Sequence, residues 1–202
     1  MKRYDNIISQ LKGAMYLPPD KDDVVHGWLH ILEFGTYDGR SAIKMIEAAA
    51  DIYENVLYYG VDLFSTMTLD DFEKEISKSV RPPPREEVRK LLSQTGATIM
   101  LLQGDSKTIM SALIHAIPLM DFIFIDGGHS LETVKSDWAF ARLLMHRNTR
   151  VLFDDYYLEK KDCGCKVTVD GIDRRDYIVE PLLPIEEFPK TGPMQMINVR
   201  LK

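Results

Sequence analysis

The sequence predicts an α/β protein: a three-layer sandwich of helices around a mostly parallel sheet, with an antiparallel strand towards the C-terminus. Three observations carry this. Short runs rich in Val, Ile, Leu, Phe and Tyr alternate with longer stretches of helical periodicity. The first strand and helix are joined by a tight, glycine-containing loop in LEFGTYDGRSAIKMIEAAA, Leu32–Ala50. The tail holds two strand candidates joined by a Pro- and Gly-containing loop, a hairpin-like pair in place of a further parallel unit.

Each element has its own signal. Ile7, Ile8, Leu11 and Met15 recur at helical spacing, and Pro18-Pro19 ends that segment, so 1–27 reads as an N-terminal helical extension. Trp28–Phe34 is the first strand, and Ser41–Ala50 a helix with Ile43, Ile46 and Ala50 on one side. Val56–Val61 is the second strand, ending at Asp62. Two charge-rich helical segments follow, Asp70–Ser79 and Glu86–Gln94, separated by RPPPR at Arg81–Arg85. Residues 63–96 together read as an insertion suited to a substrate lid. Thr98–Leu102 is the third strand, Lys107–Ala116 a helix and Phe122–Ile125 the fourth strand. Leu131–Met145 reads as one long helix, with Ser130 as N-cap and Val134, Trp138, Ala141 and Met145 as its buried face. Val151–Phe153 is the fifth strand, and Tyr177–Leu182 and Met196–Leu201 are the tail pair. With no repeat or linker, 1–202 is expected to form one domain.

Composition narrows the function. A net charge of -6 and a pI near 5.4 argue against a protein held to nucleic acid by phosphate contacts. No run approaches the ~18 apolar residues of a membrane span, and MKRYDNIISQLKG lacks the apolar core of a signal peptide. Cys163 and Cys165 form a C-x-C too sparse for a zinc site or a disulfide framework, so two reduced thiols and a cytoplasmic setting are expected. A homo-oligomer is left open.

A loop at the carboxyl end of a first strand is where open α/β sheets hold nucleotide-like cofactors. Dinucleotide sites use three glycines as G-x-G-x-x-G and tolerate little negative charge at the pyrophosphate. Here only Gly35 and Gly39 are present, spaced G-x-x-x-G, with Glu33 before the turn and Asp38 inside it. Carboxylates there suit a cofactor bearing an ammonium and a sulfonium. Gly35 is expected to be glycine because a Cβ would fill the space of the cofactor's methionine moiety. The E-x-G-x-x-x-G-x-S run, Glu33, Gly35, Gly39 and Ser41, resembles the Rossmann-like class I S-adenosylmethionine-dependent methyltransferases, and among them the small-molecule O-methyltransferases typified by the catechol type. That resemblance, from about Ile31 onward, implies S-adenosyl-L-methionine as cofactor, held by Glu33, Gly35, Thr36, Tyr37, Gly39, Ser41, Asp62, Leu63, Asp105, Ser106 and Asp126. Within it, Asp62 can accept from both ribose hydroxyls or cap a loop. Asp105, in Gly104-Asp105-Ser106, can accept from the adenine amine, cap the Lys107 helix, or do both.

The fourth strand ends in FIDGGHS and the fifth in LFDDYY. Adjacent parallel strand tips face one crevice, which brings Asp126, Asp154 and Asp155 together. Converging carboxylates repel unless a cation neutralises them, and oxygen-only ligation fits Mg²⁺. The pattern resembles metal-dependent O-methyltransferases of the macrocin type, which implies Asp126, Asp154 and Asp155 as magnesium ligands. It departs from the catechol type at Tyr156, a poor magnesium ligand. His129 stands where the catechol type carries its general-base lysine; an imidazole with pKa near ~6.5 can take a hydroxyl proton, and Asp126 is the competing base. Arg81, Arg85, Arg89 and Lys90 around the triple proline suggest a basic lid that would favour an anionic substrate. The function expected is methyl transfer to a hydroxyl of a small molecule, with Mg²⁺ assisting. The competing readings are a catalytically idle cofactor-binding or scaffold domain and an NAD-dependent oxidoreductase, the latter disfavoured by the missing third glycine.

Overall fold

The computed structural model describes residues 3–15, 27–75, 81–189 and 191–202. Pro18-Pro19 and the 76–79 end of the first predicted insertion helix lie outside them. Eight strands form one sheet: β1 Trp28–Phe34, β2 Asn55–Asp62, β3 Thr98–Gln103, β4 Met120–Ile125, β5 Met145–Tyr157, β6 Tyr177–Pro181, β7 Glu186–Phe188 and β8 Gly192–Leu201. Its order is β3-β2-β1-β4-β5-β8-β6, with β7 paired to β8. The first five strands are mutually parallel, and β8 runs antiparallel between β5 and β6. The strand order reverses between β1 and β4, so a crevice opens at their carboxyl ends, beside the glycine loop.

The helices are α1 Arg3–Met15, α2 Arg40–Ala50, α3 Leu69–Glu75, α4 Arg85–Leu92, α5 Ser106–Leu113, α6 Leu131–Ala141 and α7 Gly164–Asp170. The strands alternate their apolar residues between two cores, as a sheet covered on both faces must. Ile7 and Leu11 of α1, Met45 and Ile46 of α2 and Val88 and Leu92 of α4 meet Leu29, Ile31 and Tyr58 on one face. Met110 of α5, Val134 and Ala141 of α6 and Val169 of α7 meet Leu32, Phe34, Ile123 and Phe153 on the other. Each fully buried aliphatic or aromatic side chain of this kind contributes roughly 1.5–3 kcal/mol.

Three sequence expectations are corrected. The buried stripe of α2 is Ala42, Met45, Ile46 and Ala49, while Ala50 is exposed; the 3-4 spacing that includes the two small alanines won over the one chosen by bulk. The helix from Leu131 stops at Ala141, where Leu143 and Leu144 donate to the carbonyls of Phe140 and Ala141 and tighten the last turn. Met145 instead opens β5, opposite Met120, and is buried there. The tail holds three strands rather than two, because Glu186–Phe188 forms a short antiparallel ladder with the start of β8. Ser130 does cap α6, its hydroxyl accepting from the Thr133 amide at 3.2 Å. Among the described residues no helix is long and apolar enough to cross a membrane.

Candidate active site

The tips of β1, β2 and β4 are drawn together by backbone bonds that continue past the strands. Gly35 donates to Val61, Asp126 to Phe34, and Gly104 to Asp62, each at 2.9 Å. Around this floor lies a cavity walled by the glycine loop, the β2, β3, β4 and β5 tips, and α3. Backbone strain gathers here. Tyr37, Phe64 and Asp155 adopt left-handed φ values of 50°, 50° and 58°, costly for residues with a Cβ and typical of functional sites.

Asp62 fixes two of these. Its Oδ2 accepts from the Tyr37 amide at 2.8 Å and its Oδ1 from the Phe64 amide at 2.6 Å, so the β2 tip holds both flanking loops. Gly35, φ +90°, needs to be glycine for a reason other than the one expected. A Cβ there would lie 2.2 Å from the Asp126 carbonyl oxygen and 2.5 Å from the Gly127 Cα, so the close approach is by the chain's own β4 tip.

Of the predicted cofactor residues, Gly35, Tyr37, Leu63, Asp62, Asp105, Ser106 and Asp126 line the cavity. Glu33, Thr36, Gly39 and Ser41 do not. Glu33 is fully buried beneath the loop, accepting a very short hydrogen bond from the Tyr58 hydroxyl, which also lies 3.2 Å from Thr36 Oγ1. Burial, then the Glu33 charge, pushes the Tyr58 phenol well above its ordinary value. Gly60 makes room for this cluster: a Cβ there would stand 2.3 Å from Thr36 Oγ1. Gly39, φ +78°, opens α2 and packs towards Val88, and Asp38 is paired with Arg40 at 2.9 Å. The carboxylates that face a ligand are therefore Asp62, Asp71, Glu75, Asp105, Asp126, Asp137 and Asp155, against one lysine, Lys107.

The expected basic lid is also corrected. Arg85 and Arg89 pair with Glu86 at 3.0 and 3.4 Å, and none of Arg81, Arg85, Arg89 and Lys90 lines the cavity. The residues of the insertion that line the cavity are Leu63, Met67, Asp71 and Glu75. Glu75 latches α3 onto the start of α6, its Oε2 accepting from the Ser130 amide at 2.9 Å and its Oε1 from Thr133 Oγ1 at 3.1 Å. Sequence reading missed Glu75, whose partners lie more than fifty positions away. It also missed Asp137, although an acid on the Val134–Ala141 face of a helix is a visible signal.

At the β4 and β5 tips one oxygen each from Asp126, Asp154 and Asp155 lies within 4.8 Å of the others. The pairing of β5 with β8 slips between Phe153 and Tyr156, a bulge that turns Asp154 into the protein and Asp155 towards the cavity. Tyr157 Oη donates to Asp155 Oδ1 at 2.9 Å, and His129 Nδ1 lies 3.2 Å from Asp155 Oδ2. Burial, then Asp155, pushes the Tyr157 phenol up, so it stays a donor. His129, half-buried, lines the cavity beside Asp126 and Asp155. Both cysteines are free thiols. Cys165 adjoins Asp154 and Asp155, and burial, then the Asp155 charge, pushes its thiol well above the ordinary value.

The comparisons now fit onto this geometry. The sequence pattern of a methyltransferase-domain family matches residues 32–156, from the end of β1 to the end of β5. The chain belongs to this family and is a class I S-adenosylmethionine-dependent methyltransferase. Its fold is shared with solved structures of low identity. An rRNA methylase from Streptococcus thermophilus superposes with a TM-score of 0.63 at 13% identity, covering 100% of this chain and 98% of that one. SMU.1697c of Streptococcus mutans, a candidate methyltransferase solved in complex with SAH, gives 0.64 at 12% identity, covering 100% and 99%. CalS11, a calicheamicin methyltransferase, gives 0.59 at 13% identity, covering 96% and 77%. No curated protein matches the chain by sequence.

Proposed function

We propose that the protein methylates a hydroxyl of a small molecule, with a divalent cation held by Asp126, Asp154 and Asp155. The observation that supports this best is the convergence of three carboxylate oxygens beside His129, at the end of the cofactor cavity. An all-oxygen donor set of this kind suits a hard cation such as Mg²⁺, and a carboxylate as deeply buried as Asp154, 2% exposed, calls for compensating charge. When bound, such a cation would favour the acceptor's oxyanion and orient it.

The chain's own residues do the rest. Asp62, in the cavity wall at the β2 tip, would hold the ribose hydroxyls, and the acidic wall would attract the sulfonium and ammonium. S-adenosylmethionine held there would supply an already activated methyl group, with the thioether as leaving group, and Asp126, His129 and Asp155 at the β4–β5 tips would align the acceptor oxygen. Tyr157 holds Asp155, Asp155 holds His129 Nδ1, and His129 Nε2 is left to take the acceptor's proton. Asp126 is the alternative base.

The rRNA methylase likeness raises an RNA acceptor as a second reading. A net charge of -6 and a cavity walled by seven acidic residues and one lysine weigh against an acceptor held by its phosphates. Screening phenols, sugars, hydroxylated acids and RNA with labelled cofactor should therefore find turnover on a small hydroxylated compound. With that acceptor, EDTA should silence the enzyme reversibly, Asp126→Asn or Asp155→Asn should cut turnover by orders of magnitude, and His129→Ala should lower it by ~10²–10⁴. Methylation of RNA alone would overturn the acceptor class. Full activity in EDTA with an inert Asp155→Asn change would remove the metal and leave a metal-free His129 or Asp126 mechanism.

A further inference from the structure

Among the cavity-lining acids that the proposed chemistry leaves without a task, Asp137 is the buried one. It lies on α6, seven residues from the Ser130 cap, on the same face as Val134 and Ala141, and is only 1% exposed. Ser106 Oγ donates to its Oδ1 at 2.7 Å. Its Oδ2 faces Gly127, 3.5 Å from where a Cβ on that glycine would stand, in the cavity wall. An acid at such a site is expensive, since a buried carboxyl must be hydrogen-bonded or neutralised. Packing alone would be served better by an apolar residue, and a single serine satisfies one oxygen.

The order of the strand tips says which part of the cofactor lies there. The reacting methyl belongs at the β4–β5 tips with Asp126, His129 and Asp155, and the ribose at the β2 tip with Asp62. Continuing in the same direction leads past β2 to the β3 tip, where Gly104, Asp105, Ser106 and Lys107 open α5. Ser106 is the residue that carries Asp137. A Lys107–Glu132 ion pair at 2.7 Å also links α5 to α6.

We infer that Asp137 is the residue that selects the purine of the methyl donor, its inward carboxylate oxygen accepting a hydrogen bond from the 6-amino group at the cavity wall between Ser106 and Gly127. The inference rests on the cofactor orientation proposed above. Ser106 acts as the positioning residue, holding Oδ1 so that Oδ2 stays turned inward. Asp105, exposed and bonded to the Lys107 amide at 2.8 Å, is occupied as the α5 N-cap. The deeper acid is better placed to reject a base lacking the amine, because desolvation makes an unmade bond costly.

The test compares two ligands on three proteins by calorimetry: S-adenosylhomocysteine, and its analogue with hydrogen in place of the 6-amino group. Wild type should bind the adenosyl ligand about 10–100-fold more tightly, as expected for a bond to a charged acceptor. In Asp137→Ala that preference should collapse to within about threefold, through loss of adenosyl affinity rather than gain for the analogue. Asp137→Asn, which keeps an oxygen acceptor and the Ser106 contact, should fall between. Equal affinity of wild type for the two ligands overturns the assignment without need of any variant. So does an undiminished preference in folded Asp137→Ala. Failure of wild type to bind S-adenosylhomocysteine at all would overturn the cofactor site itself, and with it this role for Asp137.

Discussion

Asp137 also makes a residue-scale prediction about stability. Burial, opposed by the Ser106 hydroxyl, pushes its carboxyl up to about 7 from an unfolded value near 3.8. Between those two values the folded state holds a proton that the unfolded chain has lost, so stability falls as pH rises from about 4 to about 7. At pH 8 the cost is at most about 4 kcal/mol by the 1.36 kcal/mol per unit conversion. Asp137→Asn removes that titration while keeping the Ser106 partner. Urea melts should show the variant gaining on wild type at pH 8 and not at pH 4; a difference independent of pH would contradict the folded-state shift. Residue-level legibility was uneven. Asp62, Asp126, Asp154 and Asp155 could be placed because each ends a strand, and strand ends share a rim. Glu33 and Gly35 were recognised as special for reasons that proved to be internal. Glu33 is bonded to Tyr58, and Gly35 makes way for the β4 tip, contacts between residues distant in sequence that local spacing does not report.

At the scale of elements, strands were more legible than helix ends and far more so than the insertion. β1 was read to the residue because an apolar run bounded by Trp28 and a glycine turn leaves little choice. The end of α6 was overrun by four residues because apolar Leu143, Leu144 and Met145 continue the helical rhythm while packing as turn and strand. The insertion was legible as a lid, but not which part of it covers the cavity, since α3 has no buried apolar residue and is held by Glu75. That latch is testable. Glu75→Ala removes acceptors for the Ser130 amide and the Thr133 hydroxyl, each net about 1 kcal/mol. Hydrogen exchange of the Ser130 amide should accelerate by roughly tenfold while the β1 and β4 amides keep their protection. Unchanged Ser130 protection would mean that α3 is held by something else.

For the whole molecule, the informative fact is that residues spread from Asp62 to Asp155 meet on one rim of a sheet ordered β3-β2-β1-β4-β5-β8-β6. A parallel sheet brings strand tips together whatever their separation in sequence, which is why the site was legible before any coordinates. The sign of its field was also legible, although the wrong carboxylates were credited with it: Asp38 and Glu33 turned away, and Asp71, Glu75 and Asp137 took their place. A cavity this acidic should prefer a sulfonium- and ammonium-bearing cofactor, or its thioether product, over a dinucleotide with a charged pyrophosphate. The most direct test is therefore a thermal melt of the intact protein with S-adenosylhomocysteine and, separately, with NADH. At a hundredfold excess over Kd the former should stabilise the fold by about 2.7 kcal/mol, a rise in Tm of roughly 5–10 °C for a domain of this size, with NADH leaving it unmoved. A larger shift with NADH than with S-adenosylhomocysteine would contradict the account.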